Sequence, residues 1–278
     1  MAEPVILDGK TLAASIREDL KTRVAKLPAT PVLATILVGD DPASATYVKM
    51  KGKACESIGM DSRRIELPAS TQTAALLRII DELNNDPNVH GILLQHPVPD
   101  DVDERLAFDR IAATKDVDGV TTLGFGKISF GLEAYASCTP AGMIRLMDEY
   151  KVPIEGKHAV VVGRSPILGK PMALLLLERN ATVTICHSRT KNLEQHLATA
   201  DIVVAAVGKP NFIRGESLKP GVVVMDAGYN AGNVGDADYE SCFKKASYIT
   251  PVPGGVGPMT IAMLLAHTVQ AAEKAARS

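Results

Sequence analysis

Aliphatic runs alternate with amphipathic stretches along the first half of the chain. The alternation predicts three strands and two helices, at Val32–Val38, Pro42–Ile58, Arg63–Leu67, Thr71–Leu83 and Val89–Gln95. Asp41 stands where the first helix needs an N-cap, and Gly59 follows its predicted end. A βαβαβ order of this kind predicts a parallel sheet with right-handed crossovers.

The second half of the chain repeats the alternation. Its predicted strands are His158–Val162, Thr182–Cys186, Ile202–Ala206 and Val222–Asp226. Its predicted helices run from Thr139 to about Tyr150, from Lys170 to Glu178 and from Thr260 to Ala275, the last after a Pro/Gly-rich loop at Pro251–Pro258. A long Gly- and Thr-rich stretch, Lys115–Ser137, separates the halves and is interpreted as an irregular domain junction. The pattern predicts an α/β protein with two domains.

Composition narrows the kind of core and the kind of ligand. Apolar residues make up 46% of the chain and aromatic residues only 4%, so the core must be aliphatic, which favours buried parallel sheets covered by helices. The net charge is −2, which argues against nucleic acid binding through bulk positive charge. Any phosphate site must therefore be local.

The cysteines and the N-terminus indicate the compartment. Cys55, Cys138, Cys186 and Cys242 are widely spaced, which favours neither a zinc site nor a disulfide framework. The first residues lack a basic segment followed by a long apolar run, and no stretch has the length of a membrane span. We expect a cytoplasmic protein without a membrane partner.

A glycine-containing turn joins a strand to a helix in the second half. Gly163 follows the apolar run Val160–Val162, and Gly169 follows after five intervening residues, close to the start of the next helix. Backbone N–H groups at such a helix start can face a phosphate, although the spacing differs from the usual dinucleotide fingerprint. An ordinary strand-to-helix turn is the alternative.

Hydroxyl and cationic residues follow the next strand. An NAD site usually has an acid at this strand end to accept the ribose hydroxyls. Here Ser188 and Arg189 follow the strand instead, and Arg164 lies beside the glycine turn. The absence of an acid and the presence of a cation favour the 2′-phosphate of NADP, with a solvated turn as the alternative.

One lysine stands among apolar positions on the helix Pro42–Ile58. At about 100° per residue, one broad arc holds Tyr47, Val48, Met50, Ala54, Cys55 and Ile58. Lys51 lies in the middle of that arc, one turn after Tyr47, whereas Lys49 and Lys53 lie opposite. Partial desolvation would favour its neutral amine, which can transfer protons. A lysine whose stem packs while its head reaches water is the alternative.

Polar residues follow the strand Val89–Gln95 and the segment after it. Gln95 stands at the carboxyl end of a buried strand, where ligands bind in parallel sheets, and its amide is suited to the Lys51 amine or a substrate carbonyl. Asp116 and Asp118 point the same way if their segment is extended, and a carboxylate can accept paired N–H donors from a pterin-like ring. Turn stabilisation explains either feature equally well.

Eight segments in this order resemble the methylenetetrahydrofolate dehydrogenase/cyclohydrolase family over nearly the whole chain. They are Val38–Ser44, Tyr47–Lys51, Gly91–Pro99, Lys115–Gly119, Cys138–Pro140, Gly163–Pro171, Cys186–Thr190 and Pro253–Ile261, of which the last is the most specific. The resemblance implies NADP-dependent oxidation of 5,10-methylenetetrahydrofolate and hydrolysis of the methenyl product to 10-formyltetrahydrofolate.

The resemblance also implies an architecture. It places a three-layer βαβ catalytic domain at residues 1–137 plus 259–278, a Rossmann-like NADP-binding domain at 138–258, and a cleft between them. It implies a homodimer that pairs through the nucleotide domain.

Residue roles follow from the resemblance position by position. Lys51 matches the catalytic lysine, Tyr47 a residue that orients the folate, Gln95 a residue that tunes the lysine, and Asp118 a residue that holds the pterin. The predicted cofactor contacts are Gly163, Arg164, Ser165, Gly169, Ser188 and Arg189. The predicted substrate contacts also include Pro253, Gly254, Gly255 and Thr260.

The chain departs from the family pattern at His96 and in the stretch Thr121–Ser137, and two other functions stay open as alternatives. The family usually has leucine where this chain has His96, and a titratable group beside Gln95 is expected to shift the pH profile. A different two-domain NADP dehydrogenase, resembling shikimate dehydrogenase, is the enzymatic alternative. A non-catalytic folate- or nucleotide-binding regulator is the other, although Tyr47, Lys51, Gln95 and Asp118 are all present.

Overall fold

The computed structural model describes residues 3–277, with the side chain of Ala43 left out. The chain divides into two compact units, each with its own parallel sheet. The three-stranded unit comprises Ala14–Ala136 and Ile261–Ser278, and the six-stranded unit comprises Met1–Ala13 and Ser137–Thr260. Residues 1, 2 and 278 of the predicted domain bounds lie outside the described residues.

Strands and helices alternate along most of the chain. The first half contains β1 (Val5–Ile6), α1 (Gly9–Val24), β2 (Val32–Val38), α2 (Pro42–Ser57), β3 (Asp61–Leu67), α3 (Thr73–Asn85), β4 (Gly91–Leu94), α4 (Glu104–Arg110) and α5 (Thr122–Ser129). The second half contains α6 (Cys138–Glu149), β5 (His158–Val162), α7 (Gly169–Glu178), β6 (Thr182–Cys186), α8 (Leu193–Thr199), β7 (Ile202–Ala205), a 3₁₀ turn (Gly215–Ser217), β8 (Val222–Asp226), α9 (Tyr239–Phe243), β9 (Ala246–Ile249) and α10 (Val256–Ala275).

The sheet of the three-stranded unit has the order β3-β2-β4. All its strands are parallel, and β2 pairs with β3 from Val32 opposite Asp61 to Val38 opposite Leu67. Six of the seven residues of the central strand β2 are buried, which explains its unbroken aliphatic sequence. The core also includes the fully buried side chains Leu76, Ile80, Leu83, Ile92 and Leu93.

The sheet of the six-stranded unit has the order β1-β9-β8-β7-β5-β6, and all its strands are parallel. The carboxyl ends of β6, β5 and β7 lie side by side, since Val162 pairs with both Cys186 and Ala205. Small and branched aliphatic side chains form the core, among them Val160, Val203, Ala205, Val222 and Val224. This arrangement puts three strand-to-loop turns next to one another.

Local capping explains where several helices begin. The Asp41 carboxylate accepts the Ser44 N–H at 2.7 Å, which gives α2 the N-cap that the sequence predicts. The Thr121 hydroxyl accepts the Gly124 N–H at 2.9 Å and starts α5 in the same way.

The two-domain α/β prediction is confirmed, and four strands match at both ends: Val32–Val38, His158–Val162, Thr182–Cys186 and Val222–Asp226. The irregular junction was wrong in part, because the capped helix α5 lies within it. The last helix begins at Val256, earlier than predicted, with Pro258 tolerated in its first turn. The structure also differs at the N-terminus, where β1 pairs with β9 of the six-stranded sheet.

Candidate active site

Lys51 lies at the edge of the face of α2 that packs on β2 and β3. Val48 and Cys55, at 3% and 0% exposure, mark the buried side of the helix. Tyr47 and Met50 remain 40% and 49% exposed, so the predicted apolar arc is too wide, and Lys51 lies at the edge of the packed face instead of its middle. The Lys51 side chain is half-buried.

The Lys51 amine and the Gln95 amide form a direct hydrogen bond. Lys51 Nζ donates to Gln95 Oε1 at 3.0 Å, and Gln95 Nε2 donates to the His96 carbonyl oxygen at 2.7 Å. Gln95 is 9% exposed, and its backbone N–H donates to Ile36 of the neighbouring strand at 2.8 Å. The amide is thereby held at both ends, with its oxygen directed to the amine.

His96 lies next in the chain and pairs with an acid. Its Nδ1 lies 2.5 Å from Glu104 Oε1, and Glu104 is the first residue of α4. The Asp103 carboxylate caps the same helix through the Leu106 N–H at 2.9 Å. His96, which stands where the family usually has leucine, therefore has the Glu104 carboxylate as its partner.

The segment that carries Asp118 is a series of turns, so the condition under which Asp116 and Asp118 would point the same way is not met. Asp116 is 2% exposed and accepts the Val120 and Thr121 N–H groups, both at 3.0 Å. Burial raises the pKa of Asp116 to about 6, against the opposing effect of these hydrogen bonds. Asp116 is therefore a structural group within the turn, whereas Asp118 is half-buried.

Gly163 and Gly169 allow two backbone segments of the six-stranded unit to approach closely. A Cβ on Gly163 would strike the Ala206 carbonyl oxygen, and one on Gly169 would strike the Gly163 carbonyl oxygen. Gly163 has φ +137°, a conformation that L side chains rarely adopt. Lys170 N donates to the Ser165 carbonyl oxygen at 3.1 Å, so the turn folds back at the start of α7. The geometry is that of a close backbone turn before a helix, which suits a phosphate group.

The predicted cations and hydroxyls occupy two adjacent strand ends. Gly163 N donates to the Cys186 carbonyl oxygen at 2.9 Å, which fixes the turn after β5 beside the turn after β6. The side chains of Arg164 and Ser165 at the first turn, and of Ser188 and Arg189 at the second, are exposed. The second turn is folded by the Thr190 hydroxyl, which accepts the His187 N–H at 2.8 Å. The structure thus places the predicted cofactor residues around one edge of the sheet.

A buried carboxylate that the sequence reading missed holds the third turn at this edge. Asp236 is 0% exposed and accepts the N–H groups of Val207, Gly208 and Lys209 at 2.6, 2.8 and 3.0 Å. It shapes the turn that follows β7, next to the Ala206 carbonyl that Gly163 approaches. These three backbone N–H groups are 27 to 29 residues away in sequence, so no local pattern indicates that Asp236 holds this turn.

A second missed carboxylate lies beside the first. Asp226 is 4% exposed and accepts the Gly228, Asp236 and Ala237 N–H groups at 2.8, 3.0 and 2.9 Å. Burial raises the pKa of Asp226 to about 6, and the three hydrogen bonds act in the opposite direction.

The predicted substrate loop belongs to the six-stranded unit. Gly254 accepts the Lys10 N–H at 2.8 Å, and a Cβ on Gly9 would strike the Gly255 carbonyl oxygen. Pro253 is exposed, and Thr260, within α10, has its hydroxyl 3.0 Å from that of Thr139. The catalytic candidates Tyr47, Lys51, Gln95 and Asp118 all lie in the three-stranded unit.

Two further kinds of feature are absent from residues 3–277. No helix in this range has the length and apolar character to cross a membrane. No group of three or more His, Cys, Asp or Glu residues in the same range could hold a metal ion.

Two family models match the chain. The model described as "Tetrahydrofolate dehydrogenase/cyclohydrolase, catalytic domain" matches residues 7–118. The model described as "Tetrahydrofolate dehydrogenase/cyclohydrolase, NAD(P)-binding domain" matches residues 137–276. The matched ranges contain the Lys51–Gln95 pair and the Gly163 turn, respectively.

The chain is also similar to individual proteins and solved structures. A relative from Shouchella clausii, named "Bifunctional protein FolD", is 65% identical over 277 residues, which cover 99% of each chain. The Trypanosoma brucei methylenetetrahydrofolate dehydrogenase-cyclohydrolase, whose crystal structure holds NADP cofactor and an inhibitor, is 35% identical with a TM-score of 0.96 over 100% of both chains. Shikimate dehydrogenase from Aquifex aeolicus is 15% identical with a TM-score of 0.53, over 90% of this chain and 98% of that one, which is a likeness of fold alone.

Proposed function

The chain belongs to the tetrahydrofolate dehydrogenase/cyclohydrolase family, and from this premise we propose that it catalyses both reactions. The first is oxidation of 5,10-methylenetetrahydrofolate to the methenyl compound with NADP⁺. The second is hydrolysis of that compound to 10-formyltetrahydrofolate. The observation that supports the proposal most directly is the 3.0 Å hydrogen bond from Lys51 Nζ to Gln95 Oε1.

Lys51 is proposed to handle protons in the hydrolysis. Its neutral amine accepts a proton as the water oxygen bonds to the methenyl carbon. The ammonium then donates a proton to N5 of the folate as the bond from N5 to that carbon breaks. Of the two water protons, one ends on N5 and one is released, which balances the conversion of a cation to a neutral formyl compound. Gln95 Oε1 can accept an N–H from either form of the amine, so it holds Nζ in place throughout.

Tyr47 and Asp118 are proposed to bind the folate. The Tyr47 ring is 40% exposed one turn before Lys51 on α2, where it can contact a planar ligand. The Asp118 carboxylate can accept paired N–H donors of the pterin ring. Pro253, Gly254, Gly255 and Thr260 are proposed as further folate contacts.

The residues at the edge of the six-stranded sheet fit NADP. A Cβ at Gly163 or Gly169 would collide with a neighbouring backbone carbonyl group. Because neither residue has a side chain, a phosphate at this turn can contact the backbone directly. The Ser165 and Ser188 hydroxyls and the Arg164 and Arg189 guanidiniums are exposed and suited to phosphate oxygens. When bound, NADP⁺ supplies the acceptor for the hydride.

We also propose the domain bounds, the oligomeric state and the compartment of the protein. The proposed folate-binding domain is residues 1–137 plus 259–278 and the proposed NADP-binding domain is residues 138–258, although β1 within the first range pairs with β9 of the six-stranded sheet. The protein acts as a homodimer in the cytoplasm, without a nucleic acid partner.

A spectrophotometric assay with 5,10-methylenetetrahydrofolate tests the function, run in parallel with NADP⁺ and NAD⁺. We expect NADP⁺ to be reduced faster than NAD⁺. We also expect the methenyl compound to be hydrolysed when it is supplied as the only substrate. Reduction of NADP⁺ with shikimate but not with the folate would identify the other dehydrogenase class. Calorimetric binding of folate or nucleotide without turnover would identify a regulator.

A further inference from the structure

We infer that His267 is a positioning residue for the folate site, acting through the turn that carries Asp118. His267 lies on α10 within the three-stranded unit and is 8% exposed. Its Nδ1 lies 2.9 Å from the carbonyl oxygen of Val117, the residue before Asp118. The inference rests on the proposed function, which assigns the folate contact to Asp118.

The contact defines the tautomer of the ring. A carbonyl oxygen accepts but cannot donate, so the proton of this bond is on Nδ1 of His267. Burial lowers the pKa of His267, although the bond to Val117 acts in the opposite direction. Nδ1 keeps its proton in the neutral Nδ1–H tautomer and in the charged ring alike, so the Nδ1–H group serves as a fixed donor to the turn.

Other contacts hold the remaining parts of the same turn. The Ile92 N–H of β4 donates to the Lys115 carbonyl oxygen at 2.9 Å, and Gly119 N donates to the Asp116 carbonyl oxygen at 3.1 Å. The Val117 side chain is fully buried. Asp118 thus lies between two anchored residues, and His267 supplies the anchor on the side of α10.

The His267 ring is itself held in place. The ring of Tyr135 packs against it with 5.3 Å between centroids and a 40° tilt. Lys274 Nζ lies 5.2 Å from the centroid of the Tyr135 ring and pairs with Glu133. Packing of this kind restricts the ring to one orientation, so the donor stays directed at Val117.

Three variants separate the donor from the bulk of the side chain. His267→Leu keeps apolar volume and removes the donor. His267→Asn places an amide N–H near the position of Nδ1, and His267→Gln places it near that of Nε2 instead. Thr268→Val is the matched control, because it removes a buried hydroxyl that donates within the same helix to Leu264 at 2.8 Å.

The test compares the KM for 5,10-methylenetetrahydrofolate with the Kd for NADP⁺. We expect the KM to rise about fivefold in His267→Leu, as for loss of one neutral hydrogen bond, while the Kd stays within about twofold. His267→Asn and Thr268→Val should keep the wild-type KM. Hydrogen–deuterium exchange of residues 115–121, without ligand, should accelerate in His267→Leu and remain slow in His267→Asn.

The possible results have distinct meanings. A wild-type KM and wild-type exchange in folded His267→Leu would overturn the inference, as would equal loss in His267→Leu and His267→Asn. If His267→Leu does not fold, His267→Gln replaces it, and equal KM values for His267→Gln and His267→Asn would overturn the inference. Absence of folate turnover in the wild-type protein would instead overturn the proposed function, whatever the exchange data show.

Discussion

The two units present their candidate chemistry in different ways. In the three-stranded unit the central feature is a contact between side chains, Lys51 Nζ to Gln95 Oε1 at 3.0 Å. In the six-stranded unit it is a backbone shape, in which Gly163 and Gly169 approach neighbouring carbonyl groups more closely than any Cβ would allow.

This difference indicates how each site should fail. Removing a side-chain functional group takes away one chemical step and leaves the surrounding backbone in place. Adding a methyl group to the glycine turn moves backbone, so binding should weaken while the chemistry at the other site continues. The following changes test that separation, from the largest expected effect to the smallest.

Lys51→Met should nearly abolish the hydrolase reaction. The substitution keeps a long apolar stem but removes the amine that exchanges protons, so we expect hydrolysis of methenyltetrahydrofolate to fall about a thousandfold. The rate of loss of the methenyl compound measures this. Lys53→Met, on an exposed position of the same helix, is the control and should keep the wild-type rate. Wild-type hydrolysis by Lys51→Met would exclude the proposed role.

Each unit contains a buried carboxyl group whose pKa is raised to about 6, Asp116 in one and Asp226 in the other. The folded state favours the protonated form of each carboxyl group. The contribution of that group to the stability of the fold is therefore full below the unfolded pKa near 4 and is lost as pH rises through 6. As pH rises from 4 to 7, the free energy of unfolding of the wild type should therefore fall by up to about 3 kcal/mol relative to that of Asp116→Asn.

Asp226→Asn should behave in the same direction. Urea unfolding at several pH values measures the free energy of unfolding of both variants. Curves of wild type and variant that run parallel with pH would contradict the raised pKa of the group concerned.

Gly163→Ala should weaken NADP⁺ binding while sparing hydrolysis. Its methyl group would strike the Ala206 carbonyl oxygen at φ +137°. Strain of about 2 kcal/mol corresponds to roughly a thirtyfold rise in Kd. Gly156→Ala is the control, because its φ is also positive, at +71°, but no heavy atom lies within 4 Å of the added Cβ.

Titration with NADP⁺ measures the Kd of Gly163→Ala, and the loss of methenyltetrahydrofolate measures its rate of hydrolysis. Unchanged NADP⁺ affinity in Gly163→Ala would show that the turn does not depend on the glycine. Equal loss of both properties would show that the two sites do not fail separately.

Arg189→Ser should reduce the preference for NADP⁺ over NAD⁺. The guanidinium is exposed, so the loss of its hydrogen bonds to a phosphate should cost about tenfold in kcat/KM for NADP⁺ and leave NAD⁺ nearly unchanged. Lys191→Ser, at an exposed position two residues away, is the control. Equal effects on the two cofactors would contradict recognition of the 2′-phosphate by Arg189.

Sequence patterns predicted features that are local. The strand Val32–Val38 is flanked by turn residues and was predicted at both ends, and Asp41 caps the next helix as its position indicated. The sequence pattern also singles out Lys51, which stands among apolar positions. The structure moved it to the edge of the packed face, because the center of burial depends on β2 and β3, which the pattern does not contain.

Features that depend on distant partners were not predicted. Asp236 accepts three backbone N–H groups that lie 27 to 29 residues away, and His267 contacts a carbonyl 150 residues away. The helix α1 was missed although Leu12, Leu20 and Val24 recur at helical spacing, because charged residues and threonine dilute the pattern between them. Such contacts become visible only when the chain has folded.

The interleaving of the two units along the chain has a consequence for biosynthesis. The three-stranded unit takes Ala14–Ala136 from early in the sequence and its final helix from Ile261 onwards. On a ribosome, the turn at Val117 emerges 150 residues before His267 can reach it. In a nascent chain, the sheet of β2, β3 and β4 must therefore stay incompletely covered until nearly all of the six-stranded unit has been translated.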